Sequence, residues 1–267
     1  MMPQLAVNFH TGSGGSNVIF VDENQQYQEI EGFGATFTES TAWLFEKVAP
    51  ASALAPAMNK LFTRNNGGIG LSFMRIPMGS TDYGLSYYSY DDLPAGQTDT
   101  ALTHFSVAHD QDYIIPLIAQ AKQLNPAMKL MANPWSPPGW MKSSGSLLGG
   151  SLLPSMYTPF ANYLVKFVQA YSAAGIPIDY ISLQNEPEYE QPGFPGMLMD
   201  APTQITVLHD YVLPALNSNG ITSRVLVYDS NWDDPGYAAT VLADTTIQAS
   251  RRWQERRGTA TDPFPAS

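Results

Sequence analysis

Cysteine is absent from all 267 residues, which excludes disulfides, thiol catalysis and cysteine-ligated zinc and leaves the redox compartment open. Basic residues are scarce: 13 Lys and Arg stand against 24 Asp and Glu, giving a net charge of −11 and a pI near 4.6. A nucleic-acid groove or an anionic membrane surface needs a basic footprint, so neither partner is expected, and a neutral, hydroxyl-rich ligand suits the charge better. No apolar run approaches the roughly 18 residues of a membrane span. Met1 to His10 has no basic start followed by an apolar stretch, so no secretion signal is read in the chain as given. The histidines are few, His10, His104, His109 and His209, and a surface or loop role is expected of each. Gly-x-Ser-x-Gly and Ser-x-x-Lys are both missing, which removes the commonest serine-hydrolase signatures.

What is present is a globular composition. With 44% hydrophobic and 12% aromatic residues, the chain can fill the core of one large domain, or of a core domain with a small appendage. Short apolar runs without polar alternation, the mark of parallel strands buried on both faces, fall at Glu29 to Phe37, Gly70 to Pro77, Lys129 to Pro134, Tyr180 to Asn185 and Arg224 to Asp229. Helical faces lie between them. Tyr113, Ile114, Leu117, Ile118 and Ala121 form one, and Phe160, Tyr163, Leu164, Phe167, Val168 and Tyr171 a second. Ile205, Leu208, Val212, Leu213 and Leu216 form a third. Gly175 and Gly220 stand where helices should end. Repeated β-α order leads to an α/β layer fold or a (β/α) barrel, of which the barrel is favoured, with about five parallel strands. The Tyr-, Asp- and Gly-rich insert from Gly79 to Asp112 reads as a loop at the barrel mouth.

Three segments are expected: an N-terminal β segment at 1–28, a partial (β/α) barrel at 29–250 and an atypical basic tail at 251–267. In the first, Asn17 to Val21 is an apolar strand, either an edge of a small β-domain or a strand lying under the barrel.

The candidate chemistry centres on Ile181-Ser182-Leu183-Gln184-Asn185-Glu186-Pro187. It reads as a buried strand that ends in a carboxamide and a carboxylate at the sheet's mouth, where barrel enzymes place catalytic acids. An amide there can hold a sugar hydroxyl while the neighbouring carboxyl delivers a proton to a glycosidic oxygen. Asp82, Tyr83, Trp135, Trp140 and Trp232 all follow strands on the same side and supply aromatic platforms and a hydroxyl acceptor. An esterase using Ser136, Ser143, Ser144 or Ser146 of a mouth loop, and a sugar-binding protein without turnover, are the other readings.

Four motifs carry a resemblance: Glu31-Gly32-Phe33-Gly34-Ala35-Thr36-Phe37-Thr38-Glu39-Ser40, Arg75-Ile76-Pro77-Met78-Gly79-Ser80-Thr81-Asp82-Tyr83, Asn133-Pro134-Trp135-Ser136-Pro137-Pro138-Gly139-Trp140-Met141-Lys142 and Gln184-Asn185-Glu186-Pro187. In this order, over roughly residues 17 to 250, they resemble glycoside hydrolase family 30, the glucosylceramidase-like retaining β-glycosidases. The resemblance implies that Glu186 is the acid/base, that Asn185 binds the 2-hydroxyl and that Asp82 and Trp135 hold the sugar nearest the scissile bond. It also implies a complete eight-stranded barrel with an attached β-sandwich, to which Asn17 to Val21 would contribute. A carbohydrate or glycoside ligand, a secreted or periplasmic ancestor and no metal or organic cofactor complete the implication.

The departure from that pattern comes after Ser250. The family's sixth strand, bearing His and Tyr, and the nucleophilic Glu of the seventh have no counterpart, and four of the seven arginines (Arg251, Arg252, Arg256 and Arg257) crowd into the tail. One back-translation of Arg251 to Asp262, read from its third nucleotide, gives Ala-Val-Ala-Gly-Thr-Ala-Trp-His-Cys-Tyr-Arg, which is similar to the missing sixth strand. A shift of reading frame after Ser250 is therefore expected, and with it weak or absent glycosidase activity, since retention needs a second carboxylate about 5 to 5.5 Å from the first. Uncovered strand edges and helix faces predict an oligomer, most simply a dimer, with Trp253 and Phe264 as apolar anchors.

Overall fold

The computed structural model describes residues 20–27, 29–65, 67–231 and 233–250. The chain divides into two units. One joins Met1–Glu29 with Glu255–Ser267, and its described part includes a turn in which Gln25 N donates to Asp22 O. The other, Ile30–Gln254, carries everything below. Most of the strand expected at Asn17 to Val21, the tail arginines, Trp253, Phe264 and Trp232 lie outside the described residues.

In the larger unit, strands β1 (Phe73–Pro77), β2 (Lys129–Asn133), β3 (Tyr180–Ser182) and β4 (Arg224–Leu226) form one parallel sheet in that order. The first expected strand is present only as a bridged segment. Thr36 pairs in parallel with Arg75, and Arg75 N donates to Ala35 O while Phe37 N donates to Arg75 O. Gly34 explains the close approach: a Cβ there would stand 1.5 Å from the Phe73 carbonyl oxygen, so no side chain is tolerated. The arrangement is a (β/α) barrel in part, with β2 and β3 buried along almost their whole length as parallel strands between helices should be.

The helices follow the apolar faces. α1 (Glu39–Trp43) and α2 (Ala51–Phe62) precede β1, and α3 (Ile114–Leu124) buries Ile114, Leu117, Ile118 and Ala121. α4 (Tyr157–Ala173) buries all six residues of its expected face. It ends where Gly175, at φ 80°, donates to Ser172 O and Ile176 N donates to Tyr171 O, the paired closure that a left-handed glycine allows.

The next helix is not uniform. α5 (Ala201–Val207) and α6 (Leu213–Ser218) are joined by a π turn over Leu208–Val212. Pro214 has no N–H to give the preceding turn, and the wider turn before it absorbs the loss. The helical stretch after Asp234 is likewise split in two, α7 (Pro235–Leu242) and α8 (Thr245–Ala249). Asp244 breaks it by accepting from Thr246 N and Ile247 N as the cap of α8.

Candidate active site

β3 and β4 part after three paired residues and meet again at an isolated bridge between Asn185 and Asp229. Immediately beside that bridge the backbone is strained. Glu186 has φ 43° and Tyr228 φ 52°, two of the three non-glycine residues with positive φ among those described. Such conformations cost of order 1–3 kcal/mol each and persist where the surroundings impose them. Here the fold imposes them through Glu186 N donating to Asp229 O at 2.8 Å and Asn185 N to Pro134 O at 2.9 Å. The kink sends two neighbouring side chains to different places. Asn185 is buried in the sheet's interior, while Glu186 lines an open cavity of about 440 Å³ with Tyr228, Glu188, Asp233 and Asp234.

At the Asn185–Asp229 bridge lies a polar network. Arg75 Nη2 donates to Asn185 Oδ1 at 2.6 Å and to Asp229 Oδ2 at 2.8 Å. The same Asp229 oxygen accepts from Asn133 Nδ2 at 2.6 Å and from Ser182 Oγ at 3.0 Å. The Arg75 guanidinium also stands 4.3 Å from the centre of the Trp135 ring, a distance at which the ring face attracts a cation. Gln184 joins the network by donating to the Trp135 carbonyl at 2.7 Å. Three buried polar atoms of this network, Arg75 Nε, Asn133 Oδ1 and Gln184 Oε1, have no hydrogen-bond partner among the described residues.

The expected site residues separate into groups. Asn185 and Trp135 share the network through Arg75, while Glu186, next to Asn185 in the chain, lines the cavity. Asp82 and Tyr83 lie exposed on the turn after β1, where the Tyr83 carbonyl accepts from Ser40 N and Oγ. Trp140 lines a second cavity, of about 360 Å³, and its indole donates to Asp91 O at 2.8 Å. The serines of the mouth loop are occupied locally: Ser136 Oγ donates to Pro137 O, and Ser144 Oγ to Ser146 O and Gly149 O. Arg75 and Asn133 stood in the motifs without a role assigned to them. A lone arginine in an otherwise apolar strand was their one signal, since a buried cation must meet an anion.

The insert from Gly79 to Asp112 is pinned over the mouth. Asp110, fully buried, accepts from the hydroxyls of Tyr88, Tyr90 and Tyr171. Burial pushes its carboxyl up, against the pull of those three donors. At the insert's start and end, buried Glu39 accepts from Leu85 N at 2.7 Å and Tyr113 Oη at 2.7 Å, and pairs with His109 Nε2 at 2.6 Å. Burial pushes Glu39 up, but these partners outweigh it and hold the carboxyl below its ordinary 4.5. The bond to Glu39 lifts His109 above its ordinary 6.5, with burial opposing.

The pair therefore stabilises the insert fully above pH 4.5, where unfolded Glu39 is ionised, and below pH 6.5, where unfolded His109 is protonated. Its contribution falls as pH drops through the folded Glu39 value or rises through the folded His109 value. The difference in Tm between wild type and His109→Gln is expected to be a few degrees and largest in that window. A difference that does not vary with pH would refute the latch. The other described histidines also pair with carboxylates, His104 with Asp99 and His209 with Asp244.

The family model for the glycosyl hydrolase family 30 TIM-barrel domain matches residues 30–251. The chain belongs to glycosyl hydrolase family 30. Among curated relatives, an endo-1,6-β-D-glucanase of Neurospora crassa is 35% identical over 243 residues, covering 87% of this chain and 50% of the relative. The lysosomal acid glucosylceramidase of Mus musculus is 32% identical over 254 residues, covering 88% and 46%. The solved endo-β1,6-glucanase BT3312 superposes with a TM-score of 0.78 at 26% identity, over 86% of this chain and 52% of that one. This family 30 chain spans about half the length of the curated relatives it matches. Among its described residues no helix is long and apolar enough to cross a membrane.

Proposed function

We propose that this chain carries the proton-donating half of a retaining β-glycosidase site, with Glu186 as acid/base and Asn185 as the amide that holds a hydroxyl of the sugar beside the scissile bond. The observation that carries this reading is the strained turn at Glu186. It separates an amide anchored by Arg75 from a carboxylate turned into the cavity. Trp135 and Asp82 are proposed to bind the same sugar, and Tyr83, Trp140 and Trp232 to contact further units of a longer substrate. The substrate class proposed is a β-1,6-linked glucan, on the likeness to two endo-1,6-glucanases, one curated and one solved.

The 267-residue polypeptide alone is expected to turn such a substrate over weakly. The strand-end carboxylate nearest to hand, Asp229, already serves Arg75, Asn133 and Ser182. Glu188, Asp233 and Asp234 share the cavity from loops. A retaining mechanism needs one carboxylate held about 5 to 5.5 Å from Glu186 as the nucleophile, and no residue of this chain is proposed for that role. The test is a panel of β-1,6-glucan, aryl β-glucosides and short p-nitrophenyl esters with wild type and Glu186→Gln. Glycoside hydrolysis lost in the variant supports the proposal, and ester hydrolysis that survives it favours the esterase reading.

Association between copies belongs to the same proposal. Trp43, Leu44 and Val48 around the end of α1 are 38%, 50% and 52% exposed, and Ile30 and Phe33 near the bridged segment are 64% and 71% exposed. An apolar surface of this kind beside a sheet edge favours pairing. A dimer is expected by light scattering at micromolar concentration, and a monodisperse monomer refutes it.

A further inference from the structure

Away from Glu186, the mouth insert gathers a second set of ligating groups. Asp91, Asp99 and His104 each offer one ligand atom, and these atoms all lie within 4.8 Å of one another. Asp91 is only 1% exposed, and both of its carboxylate oxygens lack a hydrogen-bond partner. A buried carboxylate is normally paired, hydrogen-bonded or bound to a metal, because removing it from water without compensation is costly. Burial, with Asp99 close by, pushes the Asp91 carboxyl up to about 6. Asp92 adds to the negative field, and Lys166 and His104 oppose it.

The backbone is shaped around the cluster. Asp99 Oδ2 accepts from Thr103 Oγ1 at 2.8 Å and from His104 N at 2.8 Å, and meets His104 Nδ1 at 2.9 Å. Leu102, at φ 54°, is the third strained non-glycine residue, and its N donates to Asp99 O. The turn thus brings His104 back onto Asp99 at a conformational cost. The Asp91 carbonyl holds the Trp140 indole, and the loop from Asp92 to Thr98 faces Trp140 across the 360 Å³ cavity.

We propose that Asp91, Asp99 and His104 bind a divalent first-row cation, Zn²⁺ or Mn²⁺, which fastens the mouth insert beside Trp140. Two carboxylates and an imidazole make an open three-ligand set of the kind these ions take. Ca²⁺ and Mg²⁺ call instead for six or more oxygen ligands. The His104 side chain is 67% exposed, so it can turn its nitrogen from Asp99 to an ion, and solvent can complete the coordination. The family resemblance implies no metal, and the proposal departs from it on the unpaired Asp91 carboxylate.

The test uses the full chain stripped with EDTA and titrated separately with ZnCl₂, MnCl₂, CaCl₂ and MgCl₂, followed by calorimetry, tryptophan emission and Tm. Expected are one Zn²⁺ or Mn²⁺ per chain at micromolar affinity, a rise of a few degrees in Tm, and an emission change that Trp140→Phe removes. Asp91→Asn and His104→Gln should each weaken binding by at least about tenfold. His104→Gln changes an exposed side chain and so decides the matter even if Asp91→Asn fails to fold. The proposal is overturned by no stoichiometric binding below about 1 mM, by binding that His104→Gln leaves unchanged, or by a preference for Ca²⁺ or Mg²⁺.

Discussion

Glu186→Gln is expected to lower hydrolysis of a β-1,6-glucan or an alkyl β-glucoside by about 10²- to 10⁴-fold, the usual contribution of a positioned general acid. The amide keeps the volume of the carboxyl and its place in the cavity, so the loss reports chemistry rather than a collapsed site. The leaving group supplies the internal control. A dinitrophenol departs as a stable anion without a proton, so the same variant should cleave a dinitrophenyl β-glucoside with a much smaller loss in the bond-breaking step. Rates for both substrates, taken with identical preparations, separate the roles. Equal losses on the two substrates, or no loss on either, would remove Glu186 from the acid/base position.

Arg75→Met should destabilise the fold by about 3 kcal/mol, because it strands a largely buried carboxylate whose partners were arranged for an ion pair. The side chains of Arg75 and Asp229 are 23% and 17% exposed, and one Arg75 nitrogen serves both Asp229 and Asn185. Urea unfolding should show the loss, together with a fall in Tm of roughly 6 to 12 °C. Adding Asp229→Asn should return a substantial part of it, since the double variant leaves no charge behind, and the departure from additivity measures the coupling. A single-variant loss under about 1 kcal/mol would mean that the pair behaves like a solvated surface bridge.

The elements were legible where one local rule governed them. The face from Phe160 to Tyr171 repeats at helical spacing and is buried at every position named. Gly175 and Gly220 close helices at φ 80° and 64°. The first strand was overextended: Glu29 to Phe37 is apolar enough for a strand but is held to β1 by a few backbone bonds and one bridge. The stretch from Pro235 to Ala249 shows no break in spacing where the Asp244 cap divides it, because capping competes with helical spacing one residue at a time. Glu186, Asn185 and Trp135 came from motif and strand-end position together. That Trp140 faces another cavity depends on the path of a long insert, which no periodicity describes.

Sequence alone determined the repeated β-α order, the family, and which carboxylate stands at the end of which strand, because apolar spacing and short motifs are local properties of the chain. Tertiary structure alone decided the rest. It showed that Arg75 spans from β1 to Asn185 and Asp229, 110 and 154 residues away. It showed that Glu186 and Asn185 diverge at a strained turn, and that Asp91 is left unpaired beside Asp99 and His104. Charges and strain of this kind are set by groups far apart in sequence, and only the closed packing that removes water between them gives their distances an energetic meaning.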